Sequence, residues 1–219
     1  MSTPLLPVFV KLEGRACLVV GGGAVALQKV NSLLECGANV TVVAPDARIE
    51  IRELEEQGRV AWRRRCYLAE DVHGQQLVIA ATNDPEVNHA IHGDAVSAGV
   101  LANAVDDPPF CDFYFGSVVR RGPLQIGIST AGESPALAQR LRQQLEALLD
   151  KGTGAWLERL GALRRGVLKV HPAGEERNRL LRTLAARDVC DSPSCPSRVM
   201  ALETPRQGRE SDRGSWWLT

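Results

Sequence analysis

Six consecutive residues, Gly21-Gly22-Gly23-Ala24-Val25-Ala26, fit the spacing G-x-G-x-x-A. The chemistry of that spacing is anion binding by the main chain. The first glycine permits a tight turn, Gly23 lets a pyrophosphate approach the backbone, and small Ala26 lets helix and strand pack closely. Free N–H groups at the helix start then face the anion. The competing reading is a glycine turn with only a structural role. Asp46 follows at about 20 residues, the distance at which an acidic side chain takes the adenosine ribose of NAD. It lies beyond Pro45, so its carboxylate equally suits solvent, and Arg48 would suit the 2′-phosphate of NADP. Thr82 and Asn83 close another apolar run and are candidate nicotinamide contacts, although Asn83 and Asp84 also read as a turn and helix cap. Asp106, after a third apolar run, could take a proton from a substrate while a cofactor accepts hydride. Asp106-Asp107 before Pro108-Pro109 is equally a turn signal.

The elements that must position these residues alternate strand and helix. Arg15–Val20, Asn39–Ala44, Val60–Cys66, Leu77–Ala81 and Val100–Val105 are apolar runs of strand length, and their continuity suits strands buried on both faces. Helical spacing recurs after the glycines (Val30, Leu33, Leu34, then Gly37), over Ile49–Gln57 and over Pro85–Ala98. The predicted fold class is α/β, a Rossmann-like doubly wound parallel sheet. After Pro108-Pro109 the grammar changes. Phe113–Val119 and Leu124–Thr130 read as two strands joined by a turn at Arg120-Arg121-Gly122-Pro123. Ser134-Pro135 opens a helix with Leu137, Leu141, Leu145, Leu148 and Leu149 on one face. Two more helices carry Leu157, Leu160, Leu163 and Val167, then Leu180, Leu181 and Leu184. From about Asp188 apolar residues thin out, and a disordered tail is expected.

Composition bounds the function. The 219 residues carry 26 basic and 26 acidic side chains, which argues against a nucleic-acid footprint. The zero is a sum of unlike halves, with 13 basic and 18 acidic groups in residues 1–150 against 13 and 8 in residues 151–219. No apolar stretch approaches the roughly 18 residues of a membrane span, and the first ten residues hold no positive charge for a signal peptide. Six dispersed cysteines without a CxxC pair suit a reduced, cytoplasmic protein.

Three segments together carry a more specific signal. Leu6–Pro45, Ala80–Asn88 (AATNDPEVN) and Asn103–Arg142 closely resemble the siroheme-synthase-type precorrin-2 dehydrogenase / sirohydrochlorin ferrochelatase family. The resemblance spans most of the first 150 residues in order. It implies oxidation of precorrin-2, an octacarboxylate tetrapyrrole, to sirohydrochlorin with NAD, and in many members insertion of ferrous iron as a second substrate. It carries the working aspartate of an N-x-V-D motif onto Asp106. NAD contacts fall on Ala24, Val25, Pro45 and Asp46, beside Gly21 and Gly23. It further implies a homodimer, with residues 1–112 as NAD-binding domain, 113–150 as α+β dimerisation segment, 151–187 as a small helical C-terminal region and 188–219 as tail. The sequence departs from the pattern at Gln28, often Arg, at Ala104, often β-branched, and at Thr130, often Ser, where the hydroxyl is kept. No methyltransferase segment follows, so a separate uroporphyrinogen methyltransferase is expected to supply precorrin-2.

An octacarboxylate needs cations, and Arg120, Arg121 and Arg140 are candidates alongside Thr130. A solvated turn and helix face is the competing reading. Arg63-Arg64-Arg65 reads as a solvated strand edge. His73, His89, His92 and His171 show no ligand spacing and read as surface histidines, and Cys190 and Cys195 are assigned no metal. The metal site is left unknown. An NAD-binding regulatory module without turnover, or a chelatase alone, would share parts of this pattern.

Overall fold

A computed structural model of the chain describes residues 4–186, 189 and 193–202, divided into two compact units. The first takes the chain up to Phe115 together with Ser129–Ser134. Its five strands, β1 (Ala16–Val20), β2 (Asn39–Val43), β3 (Val60–Arg63), β4 (Leu77–Ala80) and β5 (Leu101–Ala104), form one sheet in the order β3-β2-β1-β4-β5. Every pairing is parallel. This is the Rossmann-like layout read from the apolar runs.

Parallel strands covered on both faces must be apolar throughout, and Cys17–Val20 and Leu77–Ala80 are buried without interruption. One face packs Cys17, Val19, Val40, Val42 and Ile79 against α1 (Ala24–Glu35) and α2 (Ile49–Glu56). The other packs Leu18, Val20, Val78 and Ala102 against Ile91 and Ala95 of α3 (Pro85–Ser97). Val20 stands level with Val43 and Ala80, and Ala80 with Ala104. The loops that follow these four strands therefore open along one edge, where an α/β sheet binds its ligands.

The third strand ends at Arg63, short of the expected Cys66. The Arg65 N–H turns back onto the Arg63 carbonyl at 2.9 Å. Arg63 and Arg65 then converge on the buried carboxylate of Asp71, so this run is more than the solvated edge its charge suggested. Arg64 does lie at the surface, paired with Glu55 at 2.8 Å and over the Trp62 ring.

The second unit holds Gly116–Ile128 and the chain from Pro135. Strands β6 (Ser117–Arg121) and β7 (Leu124–Ile128) pair antiparallel. Arg120 and Arg121, expected in the turn, belong to β6. Gly122, with φ 55°, supplies the positive φ that a two-residue loop requires, and Pro123 completes it. Helix α4 (Pro135–Leu148) packs on this hairpin. Helices α5 (Thr153–Val170), α6 (Glu175–Ala185) and α7 (Pro196–Leu202) enclose Leu163, Val167, Leu184, Val189 and Ala201. Helix α7 corrects the expected disorder from residue 188 over its own span. Pro196 suits a first helical position, and Ala201 and Met200 pack α7 against Leu163, Val167 and Leu184. Cys190 and the remainder of that tail lie outside the described residues. Among the described residues no helix is long and apolar enough to cross a membrane.

Candidate active site

The glycine turn sits between β1 and α1, and each glycine in it has a different constraint. Gly21 has φ 125°, and a Cβ there would run into the Ala81 carbonyl. A Cβ on Gly22 would run into the Asp46 carbonyl and lie 2.7 Å from the Ala47 Cα. The Gly22 carbonyl also accepts the Arg48 N–H at 3.0 Å, tying this turn to the loop after β2. That role for Gly22 was not read from the fingerprint, in which it is a variable position. Around Gly23 a Cβ meets nothing within 4 Å. Gly23 is the N-cap of α1, makes no side-chain cap, and is followed by no acidic residue in the first turn. The first N–H groups of α1 thus face open space under a positive helix end, which fits the pyrophosphate of a dinucleotide.

These residues line a crevice of about 710 Å³, with Pro45–Arg48, Cys66, Tyr67, Ala81–Asp84 and Val87 as its other walls. Cys66 and Tyr67 come from beyond β3 and carry no motif. Ala24 and Val25 are exposed at the start of α1. Asp46 is at the crevice mouth, its side chain 84% exposed, with Oδ1 accepting from the Ala47 N–H at 2.9 Å and from Arg52 at 2.6 Å. Arg48 is closed in a two-pronged pair with Glu50 at 2.8 and 3.1 Å. The mouth therefore presents a carboxylate, with its nearest arginines already paired.

The loop after β4 is fixed from within. Thr82 Oγ1 lies 2.7 Å from Asn88 Oδ1, and the Asn88 amide donates to the Thr82 carbonyl at 3.2 Å. Asn88 is buried and was not singled out from sequence; its signal was the last letter of AATNDPEVN. Asp84 caps α3, accepting from Glu86 and Val87. Asn83 is exposed on the crevice wall. Both candidate nicotinamide contacts line the crevice, Asn83 exposed and Thr82 bonded within the loop.

After β5 the chain folds back on itself. Asn103 is buried and donates to the Phe113 carbonyl at 2.7 Å, and the Ala102 N–H donates to Asp112 at 2.8 Å. Asp107 Oδ2 lies 2.6 Å from His89 Nε2, and Asp112 Oδ1 lies 3.3 Å from His92 Nε2. Asp106 stands between these anchors with φ 62°, exposed, and with no hydrogen-bond partner for its carboxylate among the described residues. A left-handed φ at a non-glycine residue is a cost that persists where surroundings enforce it. Lys29 on α1 reaches this corner. Its ammonium lies 3.9 Å from the centre of the Phe115 ring, and burial pushes its pKa down against the opposing pull of Asp106. Sequence reading passed over Lys29 because α1 spacing says nothing about the loop after β5.

In the second unit, Arg121 donates to the Glu146 carbonyl at 2.9 Å and lies 3.9 Å from its carboxylate. Arg140 is exposed on α4, and Arg120 is exposed on β6. Thr130, in the first unit, accepts the Ser134 N–H at 3.2 Å. Among the described residues no group of three or more His, Cys, Asp or Glu side chains could hold a metal ion.

Comparison with known proteins agrees with this geometry. Residues 8–117 match the family described as "Putative NAD(P)-binding", and residues 121–148 match "Sirohaem biosynthesis protein central". Siroheme synthase 1 of Yersinia enterocolitica is 45% identical over 174 residues, 78% of this chain and 37% of that protein. The siroheme synthase of Methylococcus capsulatus is 37% identical over 216 residues, 96% of this chain and 45% of that protein. The chain thus spans less than half the length of these relatives. Among solved structures, SirC, a precorrin-2 dehydrogenase, superposes with a TM-score of 0.70 at 29% identity, covering 82% of this chain and 89% of that one.

Proposed function

The chain belongs to the precorrin-2 dehydrogenase / sirohydrochlorin ferrochelatase family, the N-terminal part of siroheme synthase, and from that premise we propose that it oxidises precorrin-2 to sirohydrochlorin with NAD. The observation that carries the reading is Asp106. Of the carboxylates at 106, 107 and 112, those at 107 and 112 are engaged by histidines, while Asp106 is held exposed in a left-handed conformation at the ligand edge of the sheet. When bound, the nicotinamide supplies the hydride acceptor. The α1 N–H groups beside Gly23 hold the pyrophosphate, Asp46 takes the ribose, and Asp106 receives the proton the substrate loses. Asp46 at the mouth and the closed Arg48–Glu50 pair favour NAD over NADP. Arg120, Arg121 and Arg140 are the cations proposed for the tetrapyrrole's carboxylates, Arg121 also donating to the Glu146 carbonyl at 2.9 Å.

The test is anaerobic incubation of the purified chain with precorrin-2 and NAD. NADH absorbance rises if the reading holds, and a flat trace rejects it. Asp106→Ala should lose product formation while NAD binding persists; loss of binding would make Asp106 a cofactor or structural residue. A second reading, ferrous iron insertion, is favoured by the same unengaged carboxylate, which can take protons from the macrocycle's nitrogens. Sirohydrochlorin with ferrous or cobaltous ion then gives the metallated spectrum faster than the uncatalysed rate. A homodimer is supported by α4, where Leu137 is 38% and Leu148 80% exposed and only Ala138 is buried. Sedimentation at micromolar concentration tests it, and a purely monomeric boundary counts against it.

A further inference from the structure

The aspartate that does the work is set apart from its neighbours by two histidines on a different element. His89 and His92 are three residues apart on α3 and share one face of it. The His89 ring stacks on Phe110 with centroids 3.7 Å apart and planes 15° apart, and its Nε2 lies 2.6 Å from Asp107 Oδ2. His92 meets the same Phe110 ring edge-on at 5.5 Å, and its Nε2 lies 3.3 Å from Asp112 Oδ1. Asp112 is also held through its other oxygen by the Ala102 N–H, and the Cys111 thiol donates to the Ala104 carbonyl at 3.0 Å. On the near side, the Val105 N–H is bound to the Ala80 carbonyl at 2.9 Å, and the Asp107 N–H to the Ala104 carbonyl at 3.2 Å.

Asp106 is thus flanked by residues fixed to the sheet on one side and to α3 on the other. Its positive φ is that of the third position of the turn which the Asp107 N–H closes on the Ala104 carbonyl, so whatever holds Asp107 also holds Asp106. We propose that His89 is a positioning residue for Asp106, acting through Asp107: the bond and the Phe110 stack clamp the loop so that the 106 carboxylate is presented at the reacting edge. His92 and Asp112 hold the far end of the same loop. This rests on Asp106 being the working carboxylate. It gives α3, whose buried residues pack the sheet and hold the loop after β4, a second face that serves the chemistry.

The experiment compares the full chain with His89→Phe, His89→Gln and Asp107→Asn in the anaerobic NADH assay. His89→Phe keeps the stack on Phe110 and removes the bond, whereas Gln retains an amide donor near the position of Nε2. Displacing a reacting group by about 1 Å can cost two orders of magnitude, so His89→Phe should lower kcat about 10- to 100-fold. KM for precorrin-2 and NAD affinity should stay within about twofold, because neither ligand touches His89 on this reading; Gln should recover most of kcat. The double variant His89→Phe/Asp107→Asn should be no worse than the poorer single one, as expected for residues that act as a pair. Unchanged kcat in His89→Phe, or losses of kcat and thermal midpoint that move together and are not recovered by Gln, would overturn the proposal. If His89→Phe does not fold, Asp107→Asn with the Gln variant carries the same comparison. A wild-type chain that makes no NADH overturns the parent reading as well, whereas an active wild type with an equally active His89→Phe overturns this one alone.

Discussion

Replacing Gly23 with alanine separates the two jobs that glycines perform in one turn. Gly23 has φ −81° and ψ −171°, ordinary extended backbone that alanine adopts freely, and a Cβ there meets no protein atom within 4 Å. The folded protein therefore meets no clash there. Narrowing the unfolded ensemble offsets the poorer N-cap that alanine makes, so stability should stay within about 1 kcal/mol of the wild type. The open space is the proposed path of the pyrophosphate, and a methyl group would displace it from the α1 N–H groups. Losing one hydrogen bond to a charged group costs about 1.5–3 kcal/mol, which is roughly a 10- to 150-fold weaker Kd for NAD. Gly22→Ala is the contrasting control, since its Cβ would strike the Asp46 carbonyl and fall 2.7 Å from the Ala47 Cα. It should lower the melting midpoint and NAD affinity together. Calorimetric titration with NAD and thermal melts on both variants read the two quantities independently. A Gly23→Ala protein that binds NAD with unchanged Kd would refute the path, and one that melts several degrees lower would refute the claim of free space.

Three further outcomes are expected. Bonding to Arg65 holds the Asp71 carboxyl down at about 2, below its ordinary 3.8, with the Leu68 N–H and Arg63 assisting against the cost of burial. A depressed carboxylate stabilises above its unfolded pKa, so about 2 kcal/mol should be present near neutral pH and fade as pH falls from 4 towards 2. Asp71→Asn should melt lower near neutrality, with the gap closing over that window; a gap constant with pH contradicts the assignment. Glu50→Gln together with Asp46→Ser, which releases Arg48 and removes a carboxylate, should raise the NADP-to-NAD ratio of kcat/KM about tenfold or more, the scale of one altered polar contact. A fixed ratio in steady-state assays would mean the mouth does not read the 2′ position. Ile91→Ala, at a fully buried site on α3 against the sheet, should cost about 2–5 kcal/mol in chemical denaturation, and a loss below 1 kcal/mol would show that the site collapses around the cavity.

The sheet was legible because strands covered on both faces leave an unbroken apolar run, and four such runs end level beside the crevice. Strand β3 was misjudged at its end because Arg65 is drawn away by Asp71, a contact made only once the chain has turned. Arg120 and Arg121 look like turn residues by charge, yet Gly122-Pro123 alone closes the hairpin. Helix α7 escaped notice since its buried residues, Ser197 and Ala201, are only two and one of them is polar. At the site, the glycine spacing was readable as anion chemistry, while Asp106 and Asp107 are indistinguishable as a pair of letters. What separates them is His89, eighteen positions earlier, whose position over the loop depends on how α3 docks on β5. Lys29 and Asn88 were missed for the same reason, because their partners are set by packing between elements.

The interleaving of the two units bears on how the chain can be divided and made. The path crosses between them three times, after Phe115, after Ile128 and after Ser134. No single cut yields both units whole: a fragment stopping at residue 115 lacks the piece that carries Thr130, and a fragment starting at 116 carries that piece away from its own sheet. During synthesis the nucleotide-binding sheet can collapse as soon as β5 leaves the ribosome. Its last segment arrives only after the other unit's hairpin has been made, so the final steps of the two units are coupled in time by the thread itself.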